Sequence, residues 1–166
     1  PQTVAELSGP WSVSFDNDYI GFKKEMEFQK LENLAQNAED DIKYYSGTIR
    51  YSTGFELEAR PEGALFVNLN EVHVMAKVWI NGQYVGGAWT APWRVEITDW
   101  VQEGYNQLEV EVVNTWGNRI VGDLNLPEAE RKIWLLHNGW SPNSGLPASG
   151  LVGPVRIESM LFADES

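Results

Sequence analysis

The most restrictive feature of the sequence is the dipeptide Asn81-Gly82, which separates two short hydrophobic runs. Val78-Trp79-Ile80 precedes it and Gln83-Tyr84-Val85 follows it. Asn-Gly accepts positive φ angles at both central positions of a two-residue turn, as a type I′ β-hairpin requires. The segment therefore predicts two antiparallel strands joined by a tight turn.

Alternation of apolar and polar residues with a period of two recurs along most of the chain, as in half-buried strands. Leu65, Val67 and Leu69 share one face of residues 64–70, and a second set shares one face of residues 107–113. Turn residues such as Gly, Pro and Asn separate these runs. Further strands are predicted at residues 11–15, which would open the fold, and at residues 48–58, 94–97 and 155–157.

Two stretches depart from the strand pattern. Residues 30–41 place Leu31, Leu34 and Ala38 at helical spacing, which predicts a short helix or helical turn. Residues 116–150 are rich in Gly, Pro and Asn without clear periodicity, and long irregular segments are often functional. Many short strands with almost no helix predict one all-β domain over residues 1–166, folded as a jelly-roll sandwich of two sheets.

Charge and cysteine content narrow the class of function. The 24 Asp and Glu residues outnumber 12 Lys and Arg, giving a net charge of −12, and no basic cluster appears. Nucleic acid and anionic membranes are therefore poor partners, whereas a neutral glycan or a calcium ion is compatible. Disulfides and thiol catalysis are excluded because there is no cysteine.

The remaining whole-chain features concern membranes and processing. No apolar run approaches the ~20 residues that a membrane-spanning helix needs. The chain begins at Pro1 without a Met or a signal peptide. We therefore expect a segment excised from a larger protein.

Candidate catalytic groups are isolated rather than grouped. His73 and His137 show no shared metal-ligand spacing and are interpreted as ordinary structural histidines. The Gly-x-Ser-x-Gly, P-loop and Gly-x-Gly-x-x-Gly motifs are absent. Asp99 is interpreted as a strand-end cap, and Asp123 as the ion-pair partner of Arg119 four residues earlier. The sequence therefore predicts no independent catalytic activity, because glycosidase chemistry needs a pair of carboxyl groups with one in an apolar pocket.

Several motifs in a shared order resemble the galactose-binding-like sandwich domains of family 2 glycoside hydrolases. They are VWINGQYVG at residues 78–86, WTAPWRVEIT at residues 89–98 and GYNQLEV at residues 104–110. Further segments are similar to the sandwich at the C-terminal end of bacterial α-L-rhamnosidase-like hydrolases: GPW at 9–11, YYSGTIRY at 44–51, NTWGNRIVGD at 114–123 and SGLVGPV at 149–155. The resemblance covers residues 9–157.

The resemblance implies a galactose-binding-like jelly roll whose parent enzyme carries its catalytic carboxylates on a separate barrel domain. It implies docking on that catalytic domain as the main partner, and a periplasmic or extracellular bacterial location. Glu96 departs from the Asp that usually precedes Ile-Thr in the family, and we expect this carboxylate to cap or pair locally.

Three tryptophans are candidates for contact with carbohydrate. Trp89, Trp93 and Trp116 offer flat aromatic faces on which pyranose rings can stack. The alternative is that these rings fill the sandwich core or the interface with the absent barrel. The sequence leaves both interpretations open.

Three polar residues of the irregular segment are the other carbohydrate-binding candidates. Asn118, Arg119 and Asp123 could hydrogen-bond sugar hydroxyls. The alternative is a network that braces a surface loop, in which Arg119 pairs with Asp123. Substitution of Arg119 separates the two interpretations, since bracing affects stability and sugar binding affects affinity.

A metal site is suggested only by Asp16-Asn17-Asp18, whose oxygen atoms suit calcium. A plain Asx turn is the alternative interpretation of the same three residues. No cofactor is required, and a structural calcium ion remains compatible with the sequence.

Three classes of function follow. A non-catalytic accessory domain that docks on a glycosidase barrel predicts a large exposed apolar face. An autonomous carbohydrate-binding module predicts a concave aromatic groove and binding of a glycan. A protein-interaction module of the cell surface is the third class, and the sequence does not identify the sugar.

Overall fold

The computed structural model describes residues 1–134 and 139–161. Within them, ten strands form two antiparallel sheets that pack face to face, with few helical segments. This confirms the prediction of an all-β sandwich. No helix in the described ranges is both long and apolar enough to cross a membrane.

The larger sheet has six strands, in the spatial order β3-β2-β4-β9-β6-β7. Its longest strands, β4 and β9, pair along their whole length, from Gly47 opposite Asn114 to Leu57 opposite Gly104. The six strands are β2 (Trp11–Asn17), β3 (Phe22–Phe28), β4 (Gly47–Leu57), β6 (Met75–Ile80), β7 (Gln83–Ala88) and β9 (Gly104–Asn114).

The smaller sheet has four strands in the order β1-β10-β5-β8. They are β1 (Gln2–Leu7), β5 (Ala64–Asn68), β8 (Arg94–Glu96) and β10 (Val155–Met160). The prediction that residues 11–15 form the opening strand is wrong, because β1 precedes them. β1 pairs only with β10 and is largely exposed, so its sequence lacks a clear apolar alternation.

The core lies between the sheets and consists of the inward-facing residues that the alternation predicts. Leu65 and Val67 of β5 are fully buried, as are Leu108, Val110 and Val112 of β9. Burial of such apolar side chains is the main favourable term in folding. The largest fully buried rings belong to Trp11, Tyr45, Tyr51 and Phe15.

The β6–β7 turn has the conformation that Asn81-Gly82 predicts. Asn81 adopts φ 51° and Gly82 φ 79°, so both central residues lie in the left-handed region. The helical turn predicted for residues 30–41 is also present, as a short 3₁₀ turn, Leu34–Gln36, followed by α1, Asp40–Lys43. Asn33 caps the first of these, with its Oδ1 accepting from Ala35 N at 3.1 Å.

The segment predicted to be irregular begins with a helix, α2, at Gly117–Leu124. The prediction of a surface loop over residues 116–123 is therefore wrong. Gly122 explains the close packing of this helix, because a Cβ there would lie 2.6 Å from the ring of Tyr44. Hydrophobic packing against the sandwich supports a helix in which glycine and asparagine lower the intrinsic propensity.

The register places five residues at one end of the six-stranded sheet, which we call the α2 end. They are Asn17, Gly47, Met75, Ala88 and Asn114, each at the start or finish of its strand. The opposite end, which we call the Asn81 end, carries the β6–β7 turn and the start of β9.

Candidate binding site

The α2 helix is anchored to the rest of the domain by a buried ion pair. Arg119 Nη2 lies 2.6 Å from Asp123 Oδ1, and both side chains are almost completely buried. The other carboxylate oxygen of Asp123 accepts hydrogen bonds from the backbone N–H groups of Lys132 and Ile133, both at 2.7 Å. The predicted pairing of Arg119 with Asp123 is confirmed, on a helix rather than on a loop.

Asn118 lies on the same helix and is also buried. Its Nδ2 donates to the carbonyl oxygen of Pro147 at 2.9 Å, which ties α2 to residues 147–149. Asn118, Arg119 and Asp123 thus connect the helix with two later segments of the chain. Contact of any of the three with sugar remains a prediction.

A groove of about 310 Å³ separates α2 from residues 128–134. The rings of Tyr19 and Trp134 line it and are largely exposed. Arg131 and Lys132 also line it, and Arg131 Nε donates to the carbonyl oxygen of Asp123 at 3.0 Å. The groove therefore combines aromatic surfaces with two cationic side chains, in a chain of strongly negative net charge.

Trp116 lies at the N-terminus of α2, next to this groove. Its ring meets that of Tyr19 edge to face, with 5.6 Å between the ring centroids, and it remains 43% exposed. Such a contact holds both rings in place while leaving part of their surface accessible. Trp116 and the groove-lining Tyr19 therefore form one continuous aromatic surface.

The other two candidate tryptophans lie in the connection between β7 and β8. Trp89 directly follows β7 at the α2 end and is 68% exposed. Trp93 is half-buried and packs against the hydrophobic core. The core-packing alternative therefore describes Trp93, whereas Trp89 presents its ring to solvent.

Sequence reasoning did not identify Tyr19 or Trp134 as parts of a site. Tyr19 follows Asn17, whose Oδ1 accepts from Tyr19 N at 3.0 Å, so the turn directs an aromatic residue away from the core. Trp134 lies in the segment that lacks periodicity. An aromatic residue within a polar turn or loop was the available signal in both cases.

The predicted Asx turn at Asp16-Asn17-Asp18 is confirmed. Asn17 Oδ1 accepts from the backbone of Tyr19 and Ile20, and its Nδ2 donates to Ser46 O at 2.7 Å. Lys23 Nζ lies 3.4 Å from Asp16 Oδ2 and 3.5 Å from Asp18 Oδ1, and hydrogen bonding to Asp16 raises the pKa of Lys23. Binding of calcium here remains a prediction.

The remaining candidate acids and histidines are dispersed. Asp99 is exposed in a turn at the Asn81 end, whereas Asp123 is buried at the α2 end. His73 precedes β6, as predicted, with its Nε2 3.4 Å from Glu71 Oε1; His137 lies outside the described residues. Among the residues that the model describes, no three His, Asp or Glu side chains are placed to hold a metal ion.

Glu96 makes the local contact expected of it. Its Oε1 accepts a hydrogen bond from Thr98 Oγ1 at 2.9 Å, and the same hydroxyl oxygen accepts from Leu65 N at 3.0 Å. The carboxylate therefore supports the end of β8 where it meets β5.

Comparison with known proteins identifies the family. Residues 26–133 match the model of the glycosyl hydrolase 2 galactose-binding domain-like family. The chain belongs to this family. The expected resemblance to galactose-binding-like sandwiches is therefore confirmed.

Two relatives are similar over almost the whole chain. A protein of Formosa agariphila named "Putative beta-glucuronidase" is 35% identical over 97% of this chain and 16% of its own length. The structure of a rhamnosidase from Novosphingobium sp. PP1Y is 38% identical, with a TM-score of 0.86, over 94% of this chain and 15% of that chain. This chain therefore corresponds to a small part of larger glycoside hydrolases.

A more distant structure shares the fold. The β-glucuronidase of Ruminococcus gnavus aligns over 66% of this chain and 21% of its own, with 19% identity and a TM-score of 0.57. At that identity the likeness concerns the fold alone. A similar fold thus occurs within a larger β-glucuronidase.

Proposed function

We propose that this chain is a non-catalytic accessory domain of a longer glycoside hydrolase, which docks on the catalytic domain through its α2 end. The observation that carries the proposal is the group of exposed aromatic side chains at that end. Two relatives that match nearly the whole chain contain it as 15–16% of their length, which supports a role beside a larger catalytic portion.

The aromatic surface has the composition of a protein interface. Tyr19, Trp89, Trp116 and Trp134 are each at least 43% exposed, and Trp and Tyr are enriched where protein surfaces meet. Tyr84, Trp100 and Tyr105 are likewise exposed at the Asn81 end, whereas the exposed rings of Tyr19 and Trp134 at the α2 end line a groove, with Trp116 in contact with Tyr19. Contact with a neighbouring domain would cover them.

In the proposal, the buried polar residues of α2 hold the helix in place and do not themselves contact the catalytic domain. Arg119 and Asp123 fix the helix and hold residues 132–133 through backbone hydrogen bonds. Asn118 fixes the helix against residue 147. The three residues would then keep Trp116 and the groove in the geometry that a partner or a glycan contacts.

The separation of the candidate acids supports the absence of catalysis. Asp99 and Asp123 lie at opposite ends of the sandwich, and Asp123 is already engaged by Arg119 and two backbone N–H groups. Glycosidases place two carboxyl groups within about 5–10 Å of each other on either side of the scissile bond. Hydrolysis of an aryl glycoside by this chain alone would contradict the proposal.

A second candidate function is autonomous carbohydrate binding, and the groove favours it. Its volume of about 310 Å³ falls at the lower end of the range of small-molecule sites, roughly 300–1,000 Å³. The rings of Tyr19 and Trp134 would stack on a sugar, with Trp116, which contacts Tyr19, extending the surface. We expect neither function to require a cofactor, and a periplasmic or extracellular location suits both.

Trp116 and Trp100 provide a matched test of docking. Both are 43% exposed, but Trp116 lies at the α2 end, whereas the carbonyl of Trp100 accepts from Asn81 at the other end. In the full-length hydrolase, Trp116→Ala should increase proteolytic release of residues 1–166 by about 30-fold, as loss of an interface anchor worth about 2 kcal/mol requires.

The Trp100→Ala variant should leave the release rate close to that of the parent. Equal rates for the two variants would contradict docking through the α2 end. So would amide exchange around Trp116 that is as fast in the full-length hydrolase as in this chain alone.

A further inference from the structure

A second concavity lies on the side of α2 that faces residues 147–149. It has a volume of about 200 Å³, and its lining is distinct from that of the aromatic groove. The lining residues come from four segments of the chain and are His73, Val74, Asn114, Thr115, Asn118, Pro147, Ala148 and Ser149. We call this concavity the polar cavity.

Three of the lining side chains are polar and at least nine-tenths buried: Asn114, Asn118 and Ser149. Each has one side-chain atom without a hydrogen-bond partner among the described residues: Asn114 Nδ2, Asn118 Oδ1 and Ser149 Oγ. Leaving a buried donor or acceptor unpaired costs about 1–3 kcal/mol, so three around one cavity require an explanation.

Hydrogen bonds to the backbone fix which amide atom is free. Asn114 Oδ1 accepts from Gly150 N at 3.0 Å, which leaves its Nδ2 as an unused donor. Asn118 Nδ2 donates to Pro147 O, which leaves its Oδ1 as an unused acceptor. The hydroxyl of Ser149 can do either. The unused atoms thus provide one donor, one acceptor and one group that can serve as both.

We propose that the polar cavity binds the hydroxyl groups of a neutral sugar residue. A hydroxyl group both donates and accepts, so adjacent sugar hydroxyls match this set of atoms. Charge argues against an anionic ligand, because no Lys or Arg among the described residues lines the cavity and His73 lies beside Glu71.

This inference does not depend on docking, because every residue in it belongs to this chain. It adds Asn114 and Ser149 to the candidate residues, and it gives Asn118 a direct role. Unpaired polar groups lower the stability of the free domain, and they gain hydrogen-bond partners only when the ligand binds.

Ser149 provides the clean test, because its hydroxyl has no partner to lose. Ser149→Ala should leave Tm unchanged or raise it by up to about 3 °C. The same variant should weaken binding of a neutral hexose or 6-deoxyhexose by about threefold to tenfold, the value of one neutral hydrogen bond. Ligand-observed NMR on the intact chain measures the affinity, with D-glucuronate as the charged comparison and glycerol as a generic polyol.

Ser46→Ala is the matched control, because the Ser46 hydroxyl is also buried and unpaired but does not line the cavity. It should leave sugar affinity unchanged. The proposal is overturned if no neutral sugar binds, if glycerol or D-glucuronate binds as well as the sugars, or if both serine variants reduce affinity equally. A fall of several degrees in Tm for Ser149→Ala would also overturn it, by showing that the hydroxyl has a structural partner such as ordered water.

Discussion

The two ends of the six-stranded sheet differ in how completely their buried polar side chains are hydrogen-bonded. At the Asn81 end, Asn106 is fully buried and uses its whole amide: Oδ1 accepts from Gln102 N and Asn81 Nδ2, and Nδ2 donates to the carbonyl oxygens of Gln102 and Gly104. These distances lie between 2.8 and 3.1 Å. This network is complete without any further molecule.

At the α2 end, buried polar atoms remain unpaired within the part of the chain that the model describes. They are Ser46 Oγ, Asn114 Nδ2, Asn118 Oδ1, Arg119 Nε and Ser149 Oγ. Native proteins pair most buried polar groups, and each exception needs an explanation such as a bound water, ion or ligand. Trp11 Nε1 at the Asn81 end is also buried and unpaired, so the contrast between the two ends rests on the three atoms that line the polar cavity, those of Asn114, Asn118 and Ser149.

The largest expected effect comes from the ion pair that fixes α2. Replacing Arg119 with Met should lower the free energy of unfolding by about 3–5 kcal/mol, because it leaves the Asp123 carboxylate buried without its cation. Urea denaturation measures the change. Arg156→Met is the control, since Arg156 pairs with the exposed carboxylate of Glu6 and should cost less than about 1 kcal/mol.

If Arg119 only braces the helix, the affinity of the folded fraction for a glycan should not change. A loss of affinity without a loss of stability would instead make Arg119 a direct contact. That result would show that the buried residues of α2 bind the ligand themselves instead of only supporting the surface that binds it.

A somewhat smaller effect should follow from Asn106→Ala at the other end. Its removal leaves partners on Asn81, Gln102 and Gly104 unpaired, so the free energy of unfolding should fall by about 2–3 kcal/mol, with no change in sugar affinity. Thermal melts of this variant and of Ser149→Ala compare the two ends directly. Equal destabilisation by both would remove the basis of the comparison.

The smallest expected effect is a loss of folding stability at alkaline pH, which arises from Tyr45 near the α2 end. Burial raises the pKa of Tyr45 to about 12, and the donation of its hydroxyl to Thr48 O at 2.7 Å also favours the neutral phenol. An unfolded tyrosine ionises near pH 10, so the stabilisation is complete below pH 10 and is lost as pH rises from about 10 to 12. Burial also raises the pKa of Tyr51, which acts in the same direction.

Tyr45→Phe should therefore reduce the slope of stability against pH above pH 10 by up to about 1.4 kcal/mol per pH unit. Unfolding in urea at several pH values between 8 and 12 measures it. The Tyr51 contribution should keep some slope in the variant. An unchanged slope would show that the Tyr45 hydroxyl ionises as readily in the folded chain as in the unfolded one.

The local signals of the sequence predicted the strands and failed at α2 for a definable reason. Asn81-Gly82 determines its own turn, because the required φ angles depend on those two residues alone. Gly117, Asn118 and Gly122 disfavour a helix in isolation. The contact of Gly122 with Tyr44 and the burial of the Arg119–Asp123 pair compensate for this, and both are visible only in the folded chain.

The sequence by itself determined the two-sheet sandwich, the tight β6–β7 turn, the resemblance to galactose-binding-like domains and the pairing of Arg119 with Asp123. Each depends on periodicity, motif order or a spacing of a few residues. Only the tertiary structure brought Tyr19 next to Trp116, and Asn114 next to Ser149. Those neighbours are separated by many residues along the chain. The pairing of strands β2, β4 and β9 brings Tyr19 to Trp116, and the hydrogen bond from Gly150 N to Asn114 Oδ1 brings Ser149 to Asn114.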